Sequence, residues 1–533
     1  MQVDILIING QCLNPTNEKI NNWIAIKGDK IVGIGEGNEY SQFLESCGEI
    51  IDAKGSTVTA GFYDSHSHLI QTAINHSSLN LGKATSFNDI GDLIVEKAQK
   101  NPGEPIRGYR LDEQNLKERV LPDRYILDKF CDTAPVWLNR VEYHTSILNT
   151  YALLHYKIPF SIAGIELESN GMPTGIFRDF ANALLRESIL NNMNDKLRLK
   201  ALKNVMPYLI SSGITTTASM EGGFMFCNKD AEFIHEYKNA FPIDLVLFYQ
   251  TTDVQKVLSM GLNRIGGSLF IDGSFGSRNA ALYDDYTDAP GKNGVLYYSQ
   301  EELNSFLLDC YKNNLQTAMH VIGERAIELA LNAHEYAFKR TGNNNLRHRL
   351  EHVELPTAAQ LSRSKELNLI YSMQPAYEHY WGGPDKMYFQ RLGERYKITN
   401  PFKTIIENGI TVCGGSDSDV TPASPIMGIH AAVNHPVEMH RTSITDAIKM
   451  FTINSAYAMF EETTKGSLDV GKLADIVILS DDLFKINIEN IKDVTVKFTI
   501  KSGNILFNSV CCKGGESNAC FIHKYARENN HKT

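Results

Sequence analysis

The run Val58-Thr59-Ala60-Gly61-Phe62-Tyr63-Asp64-Ser65-His66-Ser67-His68 passes from apolar and β-branched residues into a His-x-His pair. The apolar part reads as a strand. On a strand, side chains two apart point to the same side, so both imidazoles can face one ion. Two neutral imidazoles suit zinc and neighbouring transition metals. A lone His-x-His is weak evidence for a metal. Its place at the end of an apolar strand, beside Asp64, strengthens the reading.

Three later stretches repeat the pattern of a short strand followed by a polar or Gly-containing turn. They are Thr317-Ala318-Met319-His320-Val321-Ile322-Gly323-Glu324-Arg325, Arg347-His348-Arg349-Leu350-Glu351-His352-Val353 and Val412-Cys413-Gly414-Gly415-Ser416-Asp417-Ser418-Asp419. In a βα barrel such strand ends form the C-terminal rim, where catalytic groups gather. Taken singly, each is more often a hydrogen-bonded His or a helix-capping Asp. Taken together, they set four His and one Asp (His66, His68, His320, His352 and Asp417) on four strand ends.

The sequence around these stretches alternates in the same sense. Ala201 to Ser211 keeps a helical period through Leu202, Val205, Met206 and Leu209, and Gly213 to Thr217 then reads as strand. Glu301 to Asn313 precedes Gln316 to His320, and Asn400 to Glu407 precedes Gly409 to Cys413. Helix and strand alternating at this spacing argue for an α/β fold, a TIM-like (β/α)8 barrel over residues 61–460. About 400 residues exceed what one barrel of ~250 residues needs, so 76–200 reads as an inserted lobe. Residues 1–60 and 461–508 are instead strand-rich, with Asn9-Gly10, Gly28-Asp29 and Ser502-Gly503 as turn pairs. Both ends are expected to meet in one small β-sandwich, with 509–533 as a tail.

Composition sets outer limits. The chain has 533 residues, 43% hydrophobic and 21% charged, which are globular values. A net charge of −10 without a basic stripe argues against nucleic acid. No uncharged apolar run reaches ~18 residues, so no membrane span is expected. Nine scattered cysteines fit reduced thiols in a cytoplasmic protein better than a disulfide framework. Cys511, Cys512, Cys520 and His523 look faintly like zinc ligands, but their spacing matches no standard site.

Further phrases recur along the chain: Asn139-Arg140-Val141-Glu142-Tyr143-His144, Gly171-Met172-Pro173-Thr174-Gly175, Asp272-Gly273-Ser274-Phe275-Gly276-Ser277-Arg278, Met373-Gln374-Pro375 and Gly466-Ser467-Leu468-Asp469-Val470-Gly471-Lys472-Leu473-Ala474-Asp475. With the four strand-end stretches, they resemble the amidohydrolase superfamily, most closely its YtcJ-like branch (amidohydrolase family 3). The resemblance covers about residues 3–508. It implies that His66, His68, His320, His352 and Asp417 hold or adjoin a divalent metal, zinc first, as one or two ions. It implies that metal hydroxide attacks an amide-like carbon, and that Asp417 is the catalytic group that moves the proton.

Two-metal relatives carry a bridging ligand, often a carboxylated Lys, on a middle strand. Here that strand reads Gly266 to Asp272 without a Lys. Glu221 is a candidate substitute, and a one-metal site is an open alternative. His144, Asp272, Arg278, Glu324 and Gln374 are candidate substrate contacts. Each has a plain structural alternative, such as holding a Gly-rich loop for Asp272 and Arg278. His348 reads as a surface residue. Tyr377, His379, Tyr380 and Trp381 read as a loop that lines the pocket or covers the rim.

The leading expectation is hydrolysis of a non-peptide C–N bond in a small molecule: an N-substituted formamide, an acyl amine or a cyclic amide. A deaminase or lactonase would use the same site. A regulatory or binding protein on a hydrolase fold is the reading from another class. By analogy with the superfamily alone, a homodimer is the candidate assembly.

Overall fold

A computed structural model describes residues 2–140, 145–157, 159–223 and 227–509. His144 and the tail residues Cys511, Cys512, Cys520 and His523 lie outside the described residues. The described residues divide into two compact units, one drawn from the stretches 1–69, 206–223 and 231–533 and another from 70–205 and 224–230.

The first unit holds an eight-stranded parallel sheet: β1 Phe62–Ser67, β2 Ile214–Glu221, β3 Asp244–Tyr249, β4 Arg264–Phe270, β5 Gln316–Val321, β6 Arg349–His352, β7 Ile370–Met373 and β8 Thr411–Gly414. Strands pair in sequence order, for example Val321 with His352 and Met373 with Gly414. The ring closes where the Asp417 N–H donates to His66 O at 2.7 Å and the His68 N–H donates to Ser418 O at 2.8 Å. Closure needs a glycine beside His66. A Cβ built on Gly415 would stand 2.6 Å from both the His66 amide nitrogen and its Cβ, closer than any side chain permits. The strands are buried on both faces, and the polar side chains they carry, such as Asp64, His66, Arg349 and Glu351, are buried with them. The helices expected before β2, β5 and β8 are present as Asp195–Ser211, Gln300–Lys312 and Phe402–Glu407.

The same unit builds two further sheets from both ends of the chain. One has four strands, Val3–Ile8, Trp23–Lys27, Lys30–Gly35 and Cys47–Asp52. The other has six, and in it Thr57–Ala60 pairs antiparallel with Ile476–Leu479, Ile476 facing Ala60 and Ile478 facing Val58. Ile5, Ile7, Ile24 and Ile26 from one sheet share a core with Val58, Ile476, Ile478 and Ile500 from the other. That is the period-2 pattern of a half-buried strand read from two distant segments.

The second unit has its own mixed six-stranded sheet, running from Leu79–Asn80 to Ile165–Leu167 at its edges. Ile90 and Ile94 of the helix Phe87–Lys100 pack on Ile106, Val136 and Leu138 of that sheet. Ser86 caps the helix by accepting the Asp89 N–H, which satisfies one of the donors a helix start leaves open.

Two expectations are corrected. Residues 376–381, which hold Tyr377, His379, Tyr380 and Trp381, form a short helix rather than a loop; the Tyr377 N–H closes its first turn on Gln374 O at 3.0 Å. His348 is buried, not a surface residue. Its Nδ1 accepts the Thr317 N–H at 3.1 Å and its ring stacks on Tyr311 with centroids 4.3 Å apart. Adjacent Arg347 leaves for Glu462, and that exposed-looking neighbour is what made His348 read as polar surface.

Candidate metal centre

His66 sits at the end of β1, and His68 lies two residues on, past its last residue. Asp417 arrives from the turn after β8, with its backbone already tied to His66 O. Asp417 holds a left-handed backbone (φ 51°), as does His352 at the end of β6 (φ 72°). Such conformations cost a non-glycine residue energy and gather at functional sites.

These turns bring three donor atoms to one point. The Asp417 Oδ1 atom lies 3.3 Å from His66 Nε2 and 3.2 Å from His68 Nε2. All three residues are buried, and their ligand atoms lie within 4.8 Å of one another. His66 Nε2 and Asp417 Oδ1 have no hydrogen-bond partner. Buried polar atoms are rarely left so. Two donors on a tetrahedral ion with bonds of about 2.0–2.1 Å stand roughly 3.3–3.4 Å apart, so the spacing fits a divalent cation. Among the described residues, this is the one such group of three.

The opposite edge of each imidazole is held. His66 Nδ1 lies 2.6 Å from Glu351 Oε2, and His68 Nδ1 lies 2.9 Å from Met220 O. A carboxylate or carbonyl behind a ligating His fixes its tautomer and aims the other nitrogen. Glu351 is itself gripped by Arg349, whose Nε donates to Oε1 and whose terminal nitrogen donates to Oε2, both at 2.8 Å. All three side chains are fully buried. Burial pushes the Glu351 carboxyl up, but the Arg349 charge and the contact with His66 outweigh it and hold it at about 2. Burial pulls His66 down, yet the Asp417 and Glu351 carboxylates raise it to about 9. Burial acts against the Asp417 anion, and the two histidines still keep it well below the carboxylate range. His66 is thus flanked by carboxylates on both ring nitrogens, Glu351 at Nδ1 and Asp417 at Nε2.

His352 and His320 extend the row of rings. The His66 and His352 centroids are 4.9 Å apart, and those of His352 and His320 are 4.4 Å apart. Burial holds both neutral at ordinary pH, His320 at about 4. His320 Nε2 lies 3.0 Å from Gly273 O. They line the same rim but stand outside the group of three.

The other candidates fall into different surroundings. Asp272 accepts N–H groups from Ala281, Ile322 and Gly323 at 2.8–3.0 Å, so it latches the following loop to the end of β5. Burial raises its carboxyl to about 7 against those bonds. Arg278 pairs with Asp288 at 3.0 and 2.8 Å on the exposed side of that loop. Glu324 opens the helix Glu324–Thr341, and burial raises its carboxyl. Gln374 follows β7, is buried, and its Oε1 has no partner. Glu221 ends β2 and accepts the Ser219 hydroxyl at 2.6 Å.

Sequence reading named Asp64 and Tyr377 but missed the contacts that they and a third support, the Arg349–Glu351 pair, make. Asp64 ties β1 to β8 by accepting the Ser416 N–H at 2.8 Å and the Ser416 hydroxyl at 2.5 Å. Arg349 and Glu351 stand two apart on an interior strand, a same-side charged pair that the period of 2 could have revealed. The Tyr377 hydroxyl donates to Asp417 Oδ2, a contact between β7 and β8 turns that has no local signature.

Known proteins align with this arrangement. The model of the amidohydrolase family matches residues 49–507. A putative amidohydrolase YtcJ of Bacillus subtilis is 27% identical over 513 residues, covering 91% of this chain and 95% of that protein. An N-substituted formamide deformylase of Arthrobacter pascens is 25% identical, covering 90% and 94%. The crystal structure of an uncharacterized metal-dependent hydrolase from Pyrococcus furiosus superposes with a TM-score of 0.76 at 26% identity, covering 90% of this chain and all of that one. A barrel closed between Asp417 and His66, a buried His-His-Asp group at its rim and a family match over most of the length agree, and the chain belongs to the amidohydrolase family of metal-dependent hydrolases.

Proposed function

We propose that this hydrolase cleaves a non-peptide C–N bond, in an N-substituted formamide, an acyl amine or a cyclic amide, with one zinc ion held by His66, His68 and Asp417. The observation that carries the proposal is the meeting of three buried donor atoms, two of them unpartnered, within 4.8 Å of one another. The deformylase relative, similar over nine-tenths of the chain, supports the C–N class. When bound, a divalent ion supplies a Lewis acid that lowers the pKa of water and polarises a carbonyl.

The protein's own groups do the rest. Glu351 and Met220 O hold the two imidazoles so that both Nε2 atoms face Asp417. Asp417 sits at the centre of the group and takes the proton of the attacking water, then hands it to the leaving nitrogen. His352, kept neutral by burial and with its Nδ1 unpartnered, stands along the rim to hydrogen-bond a substrate, whereas His320 donates its one N–H to Gly273 O. Gln374, with a buried unpartnered Oε1, is placed to accept one from a substrate N–H.

The test is elemental analysis of freshly purified protein beside a His66→Ala/His68→Ala variant, followed by a screen of formamides, acyl amines and cyclic amides. About one zinc per chain, lost in the variant, is the expected result, with turnover abolished in Asp417→Asn. No retained metal after incubation with zinc, manganese and iron would overturn the proposal. Two ions per chain would replace the one-ion site by a bridged one, with Glu221 the bridge to test.

A further inference from the structure

We infer that Tyr377 is a positioning residue for the metal centre: its phenol occupies one oxygen of Asp417 so that only the other faces the two histidines. The inference rests on the reading of His66, His68 and Asp417 as metal ligands.

The two oxygens of Asp417 have divided surroundings. Oδ1 faces His66 Nε2 and His68 Nε2. Oδ2 accepts the hydroxyl of Tyr377. A carboxylate with both oxygens open can grip an ion through one or two atoms, whereas an oxygen already accepting a phenol is a poorer ligand. The phenol therefore favours attachment through Oδ1 alone and fixes the side-chain torsion that places it.

Tyr377 is built to be rigid. It is 6% exposed. Its ring lies nearly parallel to His352, at 13° with centroids 6.2 Å apart, and Trp381 meets it edge-on at 4.6 Å. The helix Ala376–Trp381 that carries it starts directly after β7, beside the β8 turn that carries Asp417. Packing of the ring and the hydroxyl contact are thus separable: Tyr377→Phe removes the second and leaves the first.

The experiment measures zinc affinity by competition with a chromophoric chelator, and the visible absorption of the cobalt(II)-loaded protein. Wild type, Tyr377→Phe and Trp381→Phe are compared. Groups that orient metal ligands typically contribute 10–100-fold in affinity. The expected result is a loss of roughly that size in Tyr377→Phe with a shifted cobalt spectrum, and little change in Trp381→Phe, which alters only the ring packed edge-on against Tyr377. Unchanged affinity and spectrum in Tyr377→Phe would overturn the inference. An equal loss in Trp381→Phe would also overturn it, by showing that only packing is at work. A wild-type protein that binds neither ion would overturn the reading of the metal centre itself, and the inference with it.

Discussion

Replacing Glu351 by Gln tests whether the carboxylate behind His66 sets the candidate metal centre. The side chain keeps its shape and loses its charge. In the native protein Glu351 meets three donors, Arg349 Nε and terminal nitrogen at 2.8 Å and His66 Nδ1 at 2.6 Å. An amide offers one accepting oxygen and one donating nitrogen, so at least one of those contacts becomes donor against donor. Arg349 keeps Ser65 O at 2.6 Å and Ser372 Oγ at 2.8 Å, but its buried charge is no longer balanced. Removing one partner of a buried pair costs about 3–5 kcal/mol, and the retained acceptor places Gln toward the lower figure. His66 loses the carboxylate that aims Nε2, and zinc affinity should fall about 10–100-fold. The assay is chelator competition for zinc at pH 7.5, with urea unfolding of the metal-free protein followed by circular dichroism. Zinc affinity within about threefold of wild type would refute the reasoning about His66, since the expected loss starts near tenfold. A lowered urea midpoint beside such unchanged affinity would mean that Glu351 serves only Arg349.

Two further outcomes are expected. Gly415→Ala drives a Cβ to 2.6 Å from the His66 backbone; overpacking of this kind costs about 1–3 kcal/mol, and both the thermal midpoint and zinc affinity should fall, so wild-type values for both would show that the β1–β8 seam tolerates a side chain. Burial holds His334 at about 3, below its ordinary value of 6.5. The folded state then keeps this histidine neutral while the unfolded chain protonates below 6.5, so its contribution is full above that pH and is lost as pH falls toward 3, by up to ~1.4 kcal/mol per pH unit. The urea midpoint of wild type should therefore drop more between pH 8 and pH 5 than that of His334→Gln, and equal drops would contradict the neutral buried state.

The sequence by itself determined many of the elements and the candidate donors that lie close along the chain. A period of 2 marked His66 and His68 as neighbours on one strand side, because that relation is set by backbone geometry within three residues. Helices before β2, β5 and β8 were legible from their 3.6-residue apolar period, and Asp417 from its place after an apolar strand and a Gly-Gly turn. The sandwich of both termini was legible as composition, though the pairing of Ile476 with Ala60 was not. What only the tertiary structure decided were relations between strands that meet across the barrel. Glu351 behind His66, Asp64 across to Ser416 and Tyr377 on Asp417 join residues 285, 352 and 40 positions apart. His348 shows the same limit in reverse. Its neighbour Arg347 made it read as polar surface, whereas the chain entering β6 sends Arg347 to Glu462 and packs His348 on Tyr311. Local propensity follows from a few bonded neighbours, but which polar atoms face each other follows from closing an eight-stranded ring, and no short window of sequence contains that closure.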